Sequence, residues 1–311
     1  MFDVIYITGG SGFIGRCLMK HLIKLGIPIV CLGRWSTTFN EGQFRQENVA
    51  FIEADLTDFS SLTTAFTEPK KCLFIHLAAV GLRRYFDAPN FNVDSTEAVS
   101  KAFINCGKPG SRFLFASSVK AVDDISTNSV TAIQCPYAAS KRQSEIFLRE
   151  KFEERPDLEL SIIRIPAVFG PGDENLKTLF QMSNRSFYIY LSKKLNRPLP
   201  MIFVEDLAED IIHDGLFVSE RIATKNAGYF ITWNDFISEI QAAGKTRWHF
   251  ELKICKPLAF ALKKIATKLK LFGFSLRVHD ICFRDWSSLP LMTAKRSDLS
   301  GKVKITFESY L

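Results

Sequence analysis

Tyr137 and Lys141 stand four residues apart in Pro136-Tyr-Ala-Ala-Ser-Lys141, at the start of a segment with helical patterning. On a helix, that spacing puts both side chains on one face, about one turn apart. The chemistry within reach is proton transfer. A free tyrosine titrates near pH ~10, too high for efficient exchange around neutrality. A neighbouring ammonium favours the phenolate, so Lys141 is expected to lower the Tyr137 pKa. Tyr137 can then give a proton to a carbonyl oxygen or take one from an alcohol.

A second group of residues can hold phosphate. Thr8-Gly-Gly-Ser-Gly-Phe-Ile-Gly15 places Gly9, Gly12 and Gly15 in the spacing Gly-x-x-Gly-x-x-Gly, with Phe13 and Ile14 between the last two. Glycine permits the tight turn, lets backbone N–H groups approach a pyrophosphate, and allows close helix–strand packing. The following helix N-terminus adds partial positive charge. The next apolar run ends Cys31-Leu-Gly-Arg34, with no acid at its tip. Asp or Glu there would bond the ribose of NAD, whereas Arg34 suits the 2′-phosphate of NADP. NADP is the expected cofactor, with NAD the alternative. His21, His213, His249 and His279 show no metal-ligand spacing, so no metal is expected.

Both groups need a frame. Val4–Thr8 reads as a buried strand, and Phe13–Leu25 as a helix with apolar residues at 14, 18, 22 and 25. Further strands are expected at 27–32, 49–53, 72–77, 112–117 and 160–165. Helices are expected from Asp58, over 92–105 and over 137–151. Apolar strands alternating with helices point to an α/β fold, a Rossmann-type doubly wound parallel sheet whose ligands bind outside the strands' carboxyl ends. The pattern loosens after Ile165. The expected division is a dinucleotide-binding domain over 1–165, with 201–216 returning to it. A smaller C-terminal substrate-binding lobe is expected over 166–200 and 217–311.

Composition narrows the function class. With 311 residues, 47% hydrophobic and 23% charged, the chain reads as ordinary globular protein rather than disordered. No apolar run reaches the ~18 residues of a membrane span, and the first strand begins too early for a leader peptide. Seven cysteines without a Cys-x-x-Cys pair argue against a disulfide scaffold and fit a reducing, cytoplasmic setting. The net charge of +7 equals the seven bases between Leu252 and His279, a stretch with no Asp or Glu. The excess is local, which argues against nucleic acid.

Other segments carry a family resemblance in order along the chain. Beside the glycine loop stand Asp55-Leu56, His76-Leu-Ala-Ala79, Asn92-Val93, Ser117-Ser118, Tyr137-x-x-x-Lys141, Arg164-Ile-Pro-Ala-Val-Phe-Gly-Pro-Gly172 and Phe203-Val-Glu-Asp-Leu207. This set resembles the extended short-chain dehydrogenase/reductase superfamily, the NAD-dependent epimerase/dehydratase group, over roughly residues 3 to 216. The resemblance implies that Ser118, Tyr137 and Lys141 are catalytic, with Ser118 polarising a carbonyl and Lys141 also holding the nicotinamide ribose. It implies cofactor contacts from Asp55 and Leu56 at adenine and from Leu77, Ala78 and Ala79 along the ribose. Asn92, Ser117 and Pro166 are implied as further contacts.

The same resemblance bears on the reaction. Family dehydratases follow the Ser/Thr with Asp-Glu; here Val119-Lys120 stand there, so dehydration is disfavoured. Ser117-Ser-Val-Lys-Ala121 is similar to a sugar-nucleotide branch with 4-ketoreductases of surface-polysaccharide synthesis. The expected reaction is reduction of a nucleotide-diphospho-4-keto sugar. An NAD-retaining 4-epimerase and a non-catalytic dinucleotide sensor are the alternatives. The resemblance also implies a homodimer through the Asn92 and Tyr137 helices. Leu258, Leu262, Ile265, Leu269 and Phe272 form one helical apolar stripe among lysines. It can lie on a membrane surface or, as favoured here, pack into the lobe.

Overall fold

The structure is a computed structural model. It describes residues 1–34, 44, 46–66, 70–81, 88–122, 135–174, 176–182, 187–193, 198–244, 248–254, 289, 291 and 296–310. The Leu258–Phe272 stripe lies outside the described residues.

The elements run β1 (Val4–Thr8), α1 (Phe13–Leu22), β2 (Ile29–Gly33), β3 (Val49–Glu53), α2 (Phe59–Thr63), β4 (Cys72–His76), α3 (Phe91–Cys106), β5 (Arg112–Ser118), α4 (Pro136–Glu153) and β6 (Glu159–Ile165). They continue with β7 (Ala167–Phe169), α5 (Lys177–Met182), β8 (Phe187–Lys193), β9 (Pro198–Phe203), α6 (Val204–Leu216) and β10 (Ile222–Asn226). The last are β11 (Tyr229–Thr232), α7 (Trp233–Ala243), β12 (Trp248–Ile254) and α8 (Arg296–Glu308). The chain folds into two compact units, Met1–Ile165 with Glu205–Ala227, and Pro166–Val204 with Gly228–Leu311.

The first unit holds a seven-stranded sheet in the order β10-β6-β5-β4-β1-β2-β3. Every neighbouring pair in it is parallel. This is the expected Rossmann-type sheet, and its strand order reverses between β1 and β4, where Thr8 stands in register with His76. Strands β1, β4 and β5 are buried along their whole length, which explains why they read as continuous apolar runs. Asp58 caps α2, its carboxylate accepting from Ser60 N at 3.0 Å and Ser61 N at 3.3 Å.

Phenylalanine fills the layer between sheet and helices. Phe74, Phe103, Phe113 and Phe152 are fully buried, with the Phe103 ring 5.4 Å from Phe113 and 5.9 Å from Phe152. Each such ring contributes on the order of 2 kcal/mol through removal from water. They hold α3 and α4 against β4 and β5, which fixes where α4 starts.

One expectation is corrected. Residues 217–227, assigned from sequence to the lobe, include β10, which pairs with β6 and extends the main sheet. Ile-Ala-Thr-Lys-Asn is short and polar, and an edge strand needs only one covered flank, so its pattern is weak. Arg112, buried on β5, secures this return by donating to Asp214 O at 2.9 Å and Gly215 O at 3.3 Å, near the end of α6.

The second unit has a three-stranded sheet, β11-β9-β7, and a parallel pair, β12-β8. Phe169, Phe180 and Phe236 are fully buried in it, edge to face with centroids 5.4 and 6.2 Å apart.

Candidate active site

The glycine loop leaves β1 and enters α1 at the point where the strand order reverses. Gly9 has φ +73°, and a Cβ there would stand 2.7 Å from Ala78 N. A Cβ on Gly15 would stand 2.2 Å from Gly9 O and 2.6 Å from Gly10 Cα. Neither position accepts a side chain, so the loop lies tight against residues 77 and 78 and presents backbone alone at these glycines. Gly12 caps α1 with no side-chain hydrogen bond, and the first turn carries no acid. Among the described residues no side chain caps the first N–H groups of α1, so the loop and helix terminus fit a dinucleotide phosphate. Phe13 and Ile14 are half-buried in the first turn.

Arg34 is exposed at the end of β2. Asp55, exposed beyond β3, accepts from Thr57 N at 2.9 Å and Thr57 Oγ1 at 2.8 Å. These bonds, with a smaller contribution from the Arg34 charge, hold its carboxyl below the usual range. Leu56 next to it is buried. Leu77 and Ala78 are half-buried and Ala79 is exposed, beyond the carboxyl end of β4.

Ser118 ends β5 and is buried, its hydroxyl accepting from Lys120 N at 3.3 Å. Tyr137, half-buried in the first turn of α4, is hydrogen-bonded to the Ser118 side chain. Lys141 is buried one turn on and donates from Nζ to Ala116 O at 2.7 Å, with the Phe115 ring centroid 4.6 Å away. Ser118 and Tyr137 meet at the carboxyl end of β5, and Lys141 reaches the same strand two residues earlier. Pro136 opens the helix, where its missing N–H costs nothing.

The electrostatics differ from the expectation that Lys141 would pull the Tyr137 phenol down. Burial raises the Tyr137 pKa to about 12, with the Ser118 hydrogen bond opposing it. Burial also lowers Lys141 to about 7, against the charge of Glu145. Loss of solvent disfavours the charged form of each group, which moves the phenol up and the ammonium down. The phenol is protonated at neutrality.

Two of the expected cofactor contacts are buried and bonded to protein groups. Asn92 is buried: its side-chain oxygen accepts from Val80 N at 2.7 Å, while its amide donates to Val80 O and Ser140 Oγ, both at 3.2 Å. It braces the loop after β4 against α4. Ser117 is buried and donates to the Glu145 carboxylate. Pro166 opens the second unit, where it is buried beside Gly228.

Two supporting groups were not identified from sequence. Glu145, buried on α4, is forked by Arg164, with Nε at 3.0 Å from Oε1 and Nη2 at 2.6 Å from Oε2. The signal existed: positions 137, 141 and 145 repeat at one helical face. His76 is buried between Thr8 and Thr96, and no local pattern marks that. A separate hollow of about 380 Å³ opens beside Asp214 and Lys225 at the β6–β10 edge, and Ser118, Tyr137 and Lys141 do not line it.

A model of the NAD dependent epimerase/dehydratase family matches residues 5–213. The chain belongs to that family. It is accordingly an enzyme of the short-chain dehydrogenase/reductase type. Among curated members it is 30% identical over 210 residues to a ceramide reductase of Caulobacter vibrioides, covering 67% of this chain and 60% of that protein. It is 27% identical over 233 residues to a UDP-glucose 4-epimerase of Mycolicibacterium smegmatis, covering 67% of this chain and 72% of the other. Among solved structures, the UDP-Glc/GlcNAc 4-epimerase of Campylobacter jejuni shares the fold, with TM-score 0.71, 16% identity and 99% coverage of both chains. Among the described residues, no helix is long and apolar enough to cross a membrane.

Proposed function

We propose that this member of the epimerase/dehydratase family is a reductase that converts a ketone to a secondary alcohol with NADPH. The observation that carries this reading is the Ser118–Tyr137–Lys141 cluster at the end of β5, in the unit that carries the glycine cradle. Gly9, Gly12 and Gly15, with Phe13 and Ile14, would hold the pyrophosphate, and Arg34 the 2′-phosphate. Asp55 and Leu56 would meet adenine; Leu77, Ala78 and Ala79 would flank the ribose. A nicotinamide held there supplies the hydride that adds to the carbonyl carbon. Tyr137 supplies the proton to the carbonyl oxygen, and its phenol is already in the protonated form that reduction needs. The Ser118 hydroxyl donates to the same oxygen as charge develops on it. Lys141, with a pKa of about 7, is charged in a large fraction of molecules at neutrality and would hold the nicotinamide ribose.

The favoured substrate class is a nucleotide-diphospho-4-keto sugar, in line with the named 4-epimerases among the relatives. A long-chain keto lipid is the second reading, favoured by the ceramide reductase relative and by the lysine-flanked apolar stripe at 258–272. The experiment follows NADPH oxidation with a panel of 4-keto nucleotide sugars and a 3-ketosphingoid or ketoceramide substrate. Turnover with a ketone, reduced about 10²–10⁴-fold in Tyr137→Phe with NADPH binding intact, supports the reading. Tightly retained NAD, with 4-epimer interconversion and no net NADPH use, would replace it with the epimerase.

A further inference from the structure

Helix α1 carries Cys17 and His21 four residues apart, so both project from one face. Glu205, in the first turn of α6 and 184 residues further along, meets them there. Its Oε2 lies 2.6 Å from His21 Nε2, and its carboxylate is also hydrogen-bonded to the Cys17 side chain. One ligand atom from each of the three residues lies within 4.8 Å of the others. Neither the dinucleotide cradle nor the Ser118–Tyr137–Lys141 cluster uses these residues.

We propose that Cys17, His21 and Glu205 form a binding site for a zinc-type divalent cation, tying α6 to α1. The donor set is one sulfur, one imidazole nitrogen and one carboxylate, a combination that selects zinc and its neighbours over magnesium or calcium, which take oxygen. Donors on a tetrahedral zinc stand roughly 3–4 Å apart at Zn–N, Zn–O and Zn–S bonds of about 2.0–2.3 Å. The present spacing spans that range. The His21–Glu205 contact must open by less than about 1 Å, and the Cys17 sulfur already lies within 4.8 Å of both. His21 is 25% and Glu205 41% exposed, giving solvent access, while buried Cys17 forms the floor. The cation displaces the thiol proton to solvent, leaving thiolate and carboxylate to balance two positive charges. Water completes the fourth position. Lys20 is the nearby opposing charge. Histidine spacing alone does not reveal this cluster, because Cys17 pairs with His21 at helical spacing and Glu205 arrives only through the fold.

The inference is independent of the proposed reaction and is tested on the full chain after chelation. Cobalt(II) should bind with one equivalent at this site, giving tetrahedral visible bands and a thiolate-to-cobalt band in the near ultraviolet. Zinc should bleach both and raise Tm, with magnesium having no effect. Cys17→Ser should lose the thiolate band, and His21→Gln and Glu205→Gln should each weaken binding tenfold or more. His21 and Glu205 are partly exposed, so those variants keep the test decisive if Cys17→Ser does not fold. Absence of cobalt uptake, a thiolate band that survives Cys17→Ser, or affinity unchanged in His21→Gln and Glu205→Gln would overturn the proposal.

Discussion

Thr8 Oγ1 and His76 Nδ1 lie 2.7 Å apart across the β1–β4 boundary, and the hydrogen bonds around them assign the ring's proton. Thr96 donates its hydroxyl to Asn92 O at 2.7 Å, so its oxygen accepts from His76 Nε2–H at 3.3 Å. Nδ1 is then the acceptor for Thr8, whose oxygen also receives Ala78 N–H at 3.3 Å. Asn92 continues the chain to Ser140, which donates to Tyr137 O at 2.8 Å. A buried polar line thus joins the strand before the glycine loop to the helix that bears Tyr137.

That line requires neutral imidazole. Burial, reinforced by Lys141, lowers the His76 pKa from 6.5 to about 3. The unfolded chain takes up this proton first, so the associated stability is complete above pH 6.5 and is lost as pH falls toward 3. His76→Asn removes the titration. Urea melts between pH 7 and 4 should show wild type losing stability more steeply than the variant. At pH 7 the variant should be about 1–3 kcal/mol less stable, since Thr8 and Thr96 lose the imidazole between them.

Lys141 gives the opposite end of the pH range. Its folded pKa of about 7 lies below the ordinary lysine value of 10.5, so native protein releases the proton first. The cost of burying the ammonium is full below pH 7 and is relieved as pH rises toward 10.5. The difference between wild type and Lys141→Met isolates this effect from the buried thiols. Denaturant melts at pH 6.5, 8 and 9.5 should show that difference shifting in favour of wild type at each step; a constant difference would refute it.

The Arg164–Glu145 fork keeps a carboxylate buried behind Lys141. Arg164→Met should destabilise the fold by about 3 kcal/mol, because the buried Glu145 carboxylate loses its main partner. Arg164→Lys should recover little, lacking the planar fork. A Glu145→Leu/Arg164→Met double variant should be more stable than the single one. Chemical denaturation of the set measures all three.

At the cradle, Gly15→Ala places a methyl 2.2 Å from Gly9 O and should distort the loop. NADPH affinity, followed by fluorescence titration, should fall at least tenfold, with a loss of a few kcal/mol or less in stability. Unaltered affinity would remove the loop from the proposed cofactor site.

The sequence by itself determined the alternation of strands and helices, the glycine loop and the Tyr137–Lys141 spacing. These are local: period, breaker residues and helical offsets are written in neighbouring positions, as α1 and β5 show. Tertiary structure decided what surrounds each group. It took Tyr137 and Lys141 out of water far enough to shift both, and it buried Asn92 and Ser117 among protein partners. It also added β10 to the main sheet and brought Glu205 beside Cys17 and His21 from 184 residues away. Burial and long-range contact depend on the path of the whole chain, and no window of neighbouring residues encodes them.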